Sequence, residues 1–160
     1  MADIVPVEDP RQGVGQFSLS SALEADFPAI KDLIHETGIN PTGLDWRRFN
    51  VAKTPEGQFI GCGQLKPHGD GTVELASIAV TAAWRKKGVA SAIIKKLMAQ
   101  APRPLYLTCL SNNEPLYERF GFRAISADEW PKYFRRFSKV AGFVNALNLM
   151  QEKMLVMKLD

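Results

Sequence analysis

The chain has 160 residues, 46% hydrophobic and 23% charged, with a net charge of +3. This suits one soluble globular domain with a real core, and it excludes a disordered or fibrous chain. The charge is too mild to imply a nucleic-acid partner, no apolar run approaches the roughly 18 residues that a bilayer-spanning helix needs, and MADIVPVEDPRQ lacks the apolar stretch of a secretory leader. Cys62 and Cys109 both lie in strand-like apolar runs, which reads as reduced core residues of a cytoplasmic protein.

Residues 1–15 are polar and carry Pro6, Pro10, Gly13 and Gly15, so they read as a loose arm ahead of a single domain over 16–160. Gln16–Ser20 is the first predicted strand. Asp26 can cap a helix with Pro28 in its first turn, where a missing N–H costs nothing. That helix carries Phe27, Ile30, Leu33 and Ile34 on one face, and Gly38 supplies a left-handed end. Ile39–Trp46 is irregular, with Asn40, Pro41, Gly43 and Asp45. Arg47–Lys53 and Gln58–Lys66 are strands joined by Pro55-Glu56-Gly57, a hairpin signal. His68-Gly69-Asp70-Gly71 turns into a strand at Val73–Val80. From Gly88 to Gln100, Val89, Ile93 and Leu97 recur at helical spacing, with Ala90, Ile94 and Met98 beside them. Leu105–Leu110 is the next strand. Pro131 to Asn148 places Tyr133, Phe137, Val140, Val144 and Leu147 on one face, a helix inserted over 131–148, with Lys132, Arg135, Arg136 and Lys139 on its polar side. Lys153–Leu159 is the last strand. The class is α/β, a mixed sheet flanked by helices.

The most informative segment is Arg85-Lys86-Lys87-Gly88-Val89-Ala90, directly after a strand and directly before a helix. The first N–H groups of a helix have no internal partner, and the helix dipole places partial positive charge there. Gly88 and Ala90 let a ligand approach the backbone, and the three cations add charge. The group expected here is a phosphate or pyrophosphate.

The segment resembles the GNAT superfamily of N-acetyltransferases, which bind acetyl-CoA through an R/Q-x-x-G-x-G/A loop. The context strengthens the resemblance: strand, loop, amphipathic helix, second strand, then Asn113-Glu114-Pro115-Leu116-Tyr117-Glu118-Arg119-Phe120-Gly121-Phe122, with a Tyr four residues before Gly-Phe. It covers residues 17–125 well and the rest loosely. The third loop position is Ala90 rather than Gly, and Leu110 stands where the family often has Asn, seven residues before the Tyr. Asn112 and Asn113 are the residues that could replace that contact with the cofactor. The resemblance implies the GNAT acyl-CoA N-acyltransferase fold, with a central mostly antiparallel sheet that splays between its fourth and fifth strands. It implies acetyl-CoA as co-substrate, held in that splay. Lys87, Val89, Ala90 and Ser91 would contribute backbone N–H groups to the pyrophosphate, with Arg85, Lys86 and Gly88 in the same loop. Ile78, Ala79 and Val80 would line the pantetheine arm, and an N–H near Ile78 would polarise the acetyl carbonyl.

Two side chains carry the catalytic expectation. Tyr117 can protonate the departing CoA thiolate as general acid, and Phe120 and Phe122 beside it read as core. Glu74, eleven residues before Arg85, can take the proton of an amine that at pH 7 is mostly an ammonium. Glu74 reads equally as a solvated strand-end charge. His68 is a rival base, although a His in a Gly-rich turn is more often merely exposed. Cys109 has no local base to activate it and reads as packing. Scattered His and Cys residues make no metal site. The predicted activity is transfer of acetyl from acetyl-CoA to a primary amine, small-molecule or peptide, by direct attack in a ternary complex, by a monomer or homodimer. Ile39–Trp46, the His68 turn and the inserted helix would form the acceptor side, where Asp45 and Glu74 would suit a cation. Two alternatives stand: a non-catalytic acyl-CoA-binding sensor of the same fold, and a nucleic-acid-associated protein using Tyr133-Phe134-Arg135-Arg136-Phe137.

Overall fold

The computed structural model describes residues 16–137, 139 and 153–160. The expected N-terminal arm, and residues 138 and 140–148 of the expected 131–148 helix, lie outside them. The chain divides into two compact units: Met1–Lys66 with Leu75–Gln100, and Pro67–Glu74 with Ala101–Asp160.

In the first unit, strand β1 (Ser18–Ser21) pairs antiparallel with β2 (Phe49–Lys53), Ser18 opposite Lys53. Strand β2 pairs antiparallel with β3 (Phe59–Pro67), Phe49 opposite Gln64. The predicted hairpin is present: Gly57 sits at φ 86°, and the Thr54 N–H bonds to the Gln58 carbonyl at 2.9 Å. Arg47 and Arg48 were expected in β2 but belong to a 3-10 turn, Trp46–Arg48. The Asp45 carboxylate accepts the Arg47 N–H at 3.1 Å and bends the chain before the strand begins.

Helix α1 (Phe27–Thr37) carries Pro28 in its first turn and ends on Gly38 at φ 70°, as its sequence predicts. Asp26 stands at the N-cap position, but its side chain does not cap. It accepts the Leu23 N–H at 2.8 Å and pairs with Lys53 at 2.6 Å, so it closes the preceding turn instead. Ile30, Leu33 and Ile34 of α1 are buried with Phe49, Val51 and Cys62 of the strands.

Strand β4 (Val73–Val80) begins in the second unit, and from Leu75 onward belongs to the first. Helix α2 (Val89–Gln100) buries Val89, Ile93 and Leu97. It lies close to β3 because Gly61 and Gly63 present no side chain. A Cβ at Gly63 would stand 2.5 Å from Ile78 Cδ1, 2.8 Å from Ile93 Cγ2 and 3.0 Å from Leu97 Cδ1.

In the second unit, β5 (Leu105–Leu110) pairs antiparallel with β7 (Met154–Leu159), Leu105 opposite Leu159. The two-residue β6 (Arg123–Ala124), which the sequence did not suggest, adds to the other side of β7. A short helix α3 (Glu114–Glu118) follows a 3-10 turn at Ser111–Asn113. Residues 132–137 are helical. They bring Phe134 into a core with Ile125 and Val156, flanked by Tyr106, Trp130 and Tyr133. Arg135 is exposed, as expected of the polar side, and donates from Nε to the Trp130 carbonyl and from its guanidinium to the Asp128 carbonyl, each at 2.8 Å. Strand β4 pairs in parallel with β5 at Glu74 opposite Tyr106. The seven strands run β1-β2-β3-β4-β5-β7-β6, a mixed and mostly antiparallel sheet with one parallel pair.

Candidate functional site

The loop between β4 and α2 is shaped by backbone that L-residues rarely adopt. Lys86 has φ 60° and Gly88 has φ 83°. Only Gly takes the left-handed region without a steric cost, so Lys86 holds local strain. The first bond of α2 runs from the Ala92 N–H to the Gly88 carbonyl at 3.0 Å. The N–H groups of Val89, Ala90 and Ser91 therefore precede the helical ladder, at the positive end of a twelve-residue helix. A Cβ at Gly88 would meet nothing within 4 Å, so the space over the loop is open. Lys86 and Lys87 are exposed there, and Lys87 Nζ stands 5.3 Å from the Trp84 ring centre. Arg85, expected to add charge for a ligand, is exposed there too, and its Nε donates to the Val80 carbonyl at 3.2 Å, which ties the loop to the end of β4. Backbone donors, open space and exposed cationic side chains are the features a pyrophosphate would need.

Strand β4 holds a second unusual position. Ser77 has φ 59° inside the strand. One left-handed residue breaks the two-residue side-chain alternation, which is the signature of a bulge. Accordingly Glu74 and Leu75 are buried, Ala76 to Ile78 half-buried, and Ala79 and Val80 buried again. The bulge is held from β3: Gln64 Nε2 donates to Ser77 Oγ at 2.9 Å, and the Cys62 thiol lies 3.7 Å from the Ser77 carbonyl. It re-aims the backbone of Ile78, whose side chain turns onto Gly63. Ser77 and Gln64 were missed by sequence reasoning, and no residue type marks a left-handed Ser in advance.

The acceptor-side segment 39–46 is internally braced. Asn40 Oδ1 accepts from the Thr42 N–H and hydroxyl, and Lys66 Nζ donates to the Thr42 carbonyl at 2.8 Å. Asp45, expected to suit a cationic acceptor, is committed to Arg47 at 3.3 Å and Arg48 at 3.9 Å. The Arg47 N–H is the main cause holding its carboxyl below the usual range.

In the second unit, the turn after β3 folds His68 back over the start of β4. The His68 N–H bonds to the Thr72 carbonyl at 2.8 Å and the Gly71 N–H to the His68 carbonyl at 3.0 Å. His68 Nε2 then lies 2.7 Å from Glu74 Oε2, with the two side chains only 5% and 10% exposed. Glu74 Oε1 accepts from the Thr108 hydroxyl at 3.3 Å. Both bland expectations are corrected here: Glu74 is not a solvated strand-end charge, and His68 is not merely exposed. The Tyr133 ring stacks on His68 with centres 3.3 Å apart and planes 13° apart, and Phe134 meets the imidazole edge-on at 6.0 Å. Thr108 and Tyr133 were not singled out from the sequence as partners of this pair. The Gly-Asp-Gly turn was the available signal, since it forces positions 68 and 72 together.

Tyr117, on α3, packs edge-to-face on Phe122 at 6.2 Å. Burial, with a contribution from Cys109, pushes its phenol up to about 12. Phe122 is core, as expected, whereas Phe120 is half-buried. Burial, then the Glu114 charge, pushes the Cys109 thiol up to about 11, and its Sγ lies 3.6 Å from Met157 Sδ. Asn112 and Asn113 are exposed on the turn before α3. Among the described residues no group of three or more His, Cys, Asp or Glu is arranged to hold a metal ion. No helix among them is long and apolar enough to cross a membrane.

Comparison with known proteins gives the site a context. The sequence model of the acetyltransferase (GNAT) family matches residues 13–122. The Rv2747 protein of Mycobacterium tuberculosis, solved in complex with CoA, superposes with a TM-score of 0.66 at 23% identity, over 86% of this chain and 96% of that one. N-acetylglutamate synthase of Neisseria gonorrhoeae, solved with coenzyme A and N-acetyl-glutamate, gives 0.67 at 22% identity, over 90% of this chain but 35% of its own. The ribosomal-protein-S18-alanine N-acetyltransferase of Escherichia coli gives 0.59 at 17% identity, over 89% of this chain and 92% of that one. At these identities the likeness is one of fold. No curated protein sequence matches the chain.

Proposed function

The chain belongs to the GNAT acetyltransferase family, and from that premise we propose that it moves an acetyl group from acetyl-CoA to a primary amine, by direct attack in a ternary complex. The observation that carries the reading is the loop before α2: strained backbone at Lys86, an open Gly88, and three N–H groups ahead of the helical ladder. These would hold the pyrophosphate, with Lys86 and Lys87 supplying charge. The β4 backbone around the Ser77 bulge would meet the pantetheine arm, and an N–H there would polarise the thioester carbonyl. Asn112 and Asn113 would add cofactor contacts.

In this reading the Glu74–His68 pair takes a proton from the acceptor ammonium. The neutral amine attacks the thioester carbonyl, and the C–S bond breaks. Tyr117 gives its proton to the leaving thiolate. A phenol raised to about 12 is fully protonated at neutral pH and ready to donate. Cys109 takes no covalent part, since a thiol raised to about 11 is scarcely ionised there. The names of the synthase and the ribosomal-protein enzyme point to an amino acid in one case and an alanine of a ribosomal protein in the other. Both classes therefore belong in the test. Purified protein with acetyl-CoA is assayed for thiol release against L-glutamate, L-lysine, spermidine and an alanine-initiated peptide. Release that depends on one of these amines supports the reading. Acetyl-CoA binding with no amine-dependent release from any of them favours the sensor alternative.

A further inference from the structure

We propose that His68 Nδ1, rather than Glu74, is the atom that removes the acceptor's proton, and that Glu74 is a positioning residue acting through the imidazole. This rests on the acetyl-transfer reading above. Both Glu74 oxygens are already engaged, Oε2 by His68 Nε2 at 2.7 Å and Oε1 by the Thr108 hydroxyl at 3.3 Å. A carboxylate oxygen only accepts, so the assignment puts the hydrogen of the shorter contact on Nε2. A neutral imidazole with its hydrogen on Nε2 has its lone pair on Nδ1. The basic atom that remains is therefore on His68, with the carboxylate behind it to stabilise the imidazolium once formed.

The ring is packed between aromatic neighbours. Tyr133 lies flat on one face, Phe134 meets its edge, and the His68 N–H is bonded to the Thr72 carbonyl. Tyr133 is itself pinned to the His68 turn, its N–H donating to Asp70 Oδ2 at 2.9 Å. The protons balance. The acceptor nitrogen starts as an ammonium and ends as an amide N–H, so it loses two. One passes to Nδ1 and then to solvent. The other ends on CoA sulfur, through Tyr117.

The other titratable groups around the pair do not mimic it. Asp70 lies on the turn, where partial burial raises its pKa but hydrogen bonds from Thr72 and the Tyr133 N–H outweigh this and hold it low. Burial, then the Glu74 charge, pushes the Tyr133 phenol up. Tyr106 stands opposite Glu74 on β5, with Lys158 across from it on β7. The shifts thus favour the anionic form of Asp70 and the neutral form of the Tyr133 phenol.

The test pairs rate profiles with a direct view of the tautomer. With the amine that gives thiol release, kcat/KM is followed against pH for the wild type, His68→Gln and Glu74→Gln. The assignment predicts that His68→Gln loses about 10²- to 10⁴-fold at neutral pH and regains activity as pH rises. It predicts that Glu74→Gln loses less and moves the acidic inflection to lower pH, because the anion that favours imidazolium is gone. In 15N-labelled wild-type protein, two-bond 15N–1H spectra should show His68 with its proton on Nε2. The chain has only two histidines, and the exposed His35 serves as the internal reference. This measurement stands even where a variant fails to fold. A proton on Nδ1, or an acidic inflection lost in Glu74→Gln and kept in His68→Gln, overturns the assignment while acetyl transfer stands. Absence of transfer to every amine removes the enzyme reading and this assignment together.

Discussion

Cys109 adds to the electrostatic cost of ionising Tyr117, yet the two take opposite parts in the proposed reaction. Burial keeps both protonated, Tyr117 at about 12 and Cys109 at about 11. A protonated phenol is a usable acid, whereas a protonated thiol is a poor nucleophile. Tyr117→Phe should therefore lower kcat by about 10²- to 10⁴-fold and leave acetyl-CoA affinity nearly intact, as single-turnover kinetics and calorimetry would read. The sign of the pH effect follows from the same shift. Tyr117 donates only while protonated, so it should impose no basic limb on the rate until pH approaches 12. Cys109→Ala should keep wild-type kcat, and a large loss would return the thiol to the mechanism. Side-chain identity announced both residues, one by its place before Gly-Phe and the other by its apolar strand. It did not announce Ser77, whose importance is a backbone angle, or the contact of His68 with Glu74, which a turn makes and no spacing rule records.

The elements that bear the site were legible where one local rule decides. Helix α1 follows from its apolar face, Pro28 and Gly38. Helix α2 follows from Val89, Ile93 and Leu97, and β5 from a continuous apolar run. The rest depended on competition. The Asp45 side chain takes the start of β2 for a turn, and β6 is too short to leave a pattern. At the loop, Gly88→Glu should abolish acetyl-CoA binding in calorimetry, since it puts a carboxylate and a Cβ at φ 83° where the pyrophosphate is proposed to sit. Unchanged affinity in a folded variant would remove the loop from the site. At the packing of α2 on β3, Gly63→Ala forces Ile78, Ile93 and Leu97 aside. Overpacking of this kind costs typically 1–3 kcal/mol. The denaturant midpoint should fall accordingly, and KM for acetyl-CoA should rise if Ile78 lies on the strand proposed to meet the cofactor.

At the level of the whole molecule, the bulk composition limited the class, and the loop with its flanking elements identified the family. No feature of composition names the acceptor. The central claim is direct acetyl transfer to an amine, and isotope tracing tests it most directly. Protein is mixed with acetyl-CoA labelled in the acetyl group, with and without the active amine, and mass spectrometry follows both the protein and the small molecules. The account predicts label on the amine, CoA release only when the amine is present, and no label on the protein at any time. Label on Cys109 before the amine is added, or CoA release that ignores the amine, would contradict it.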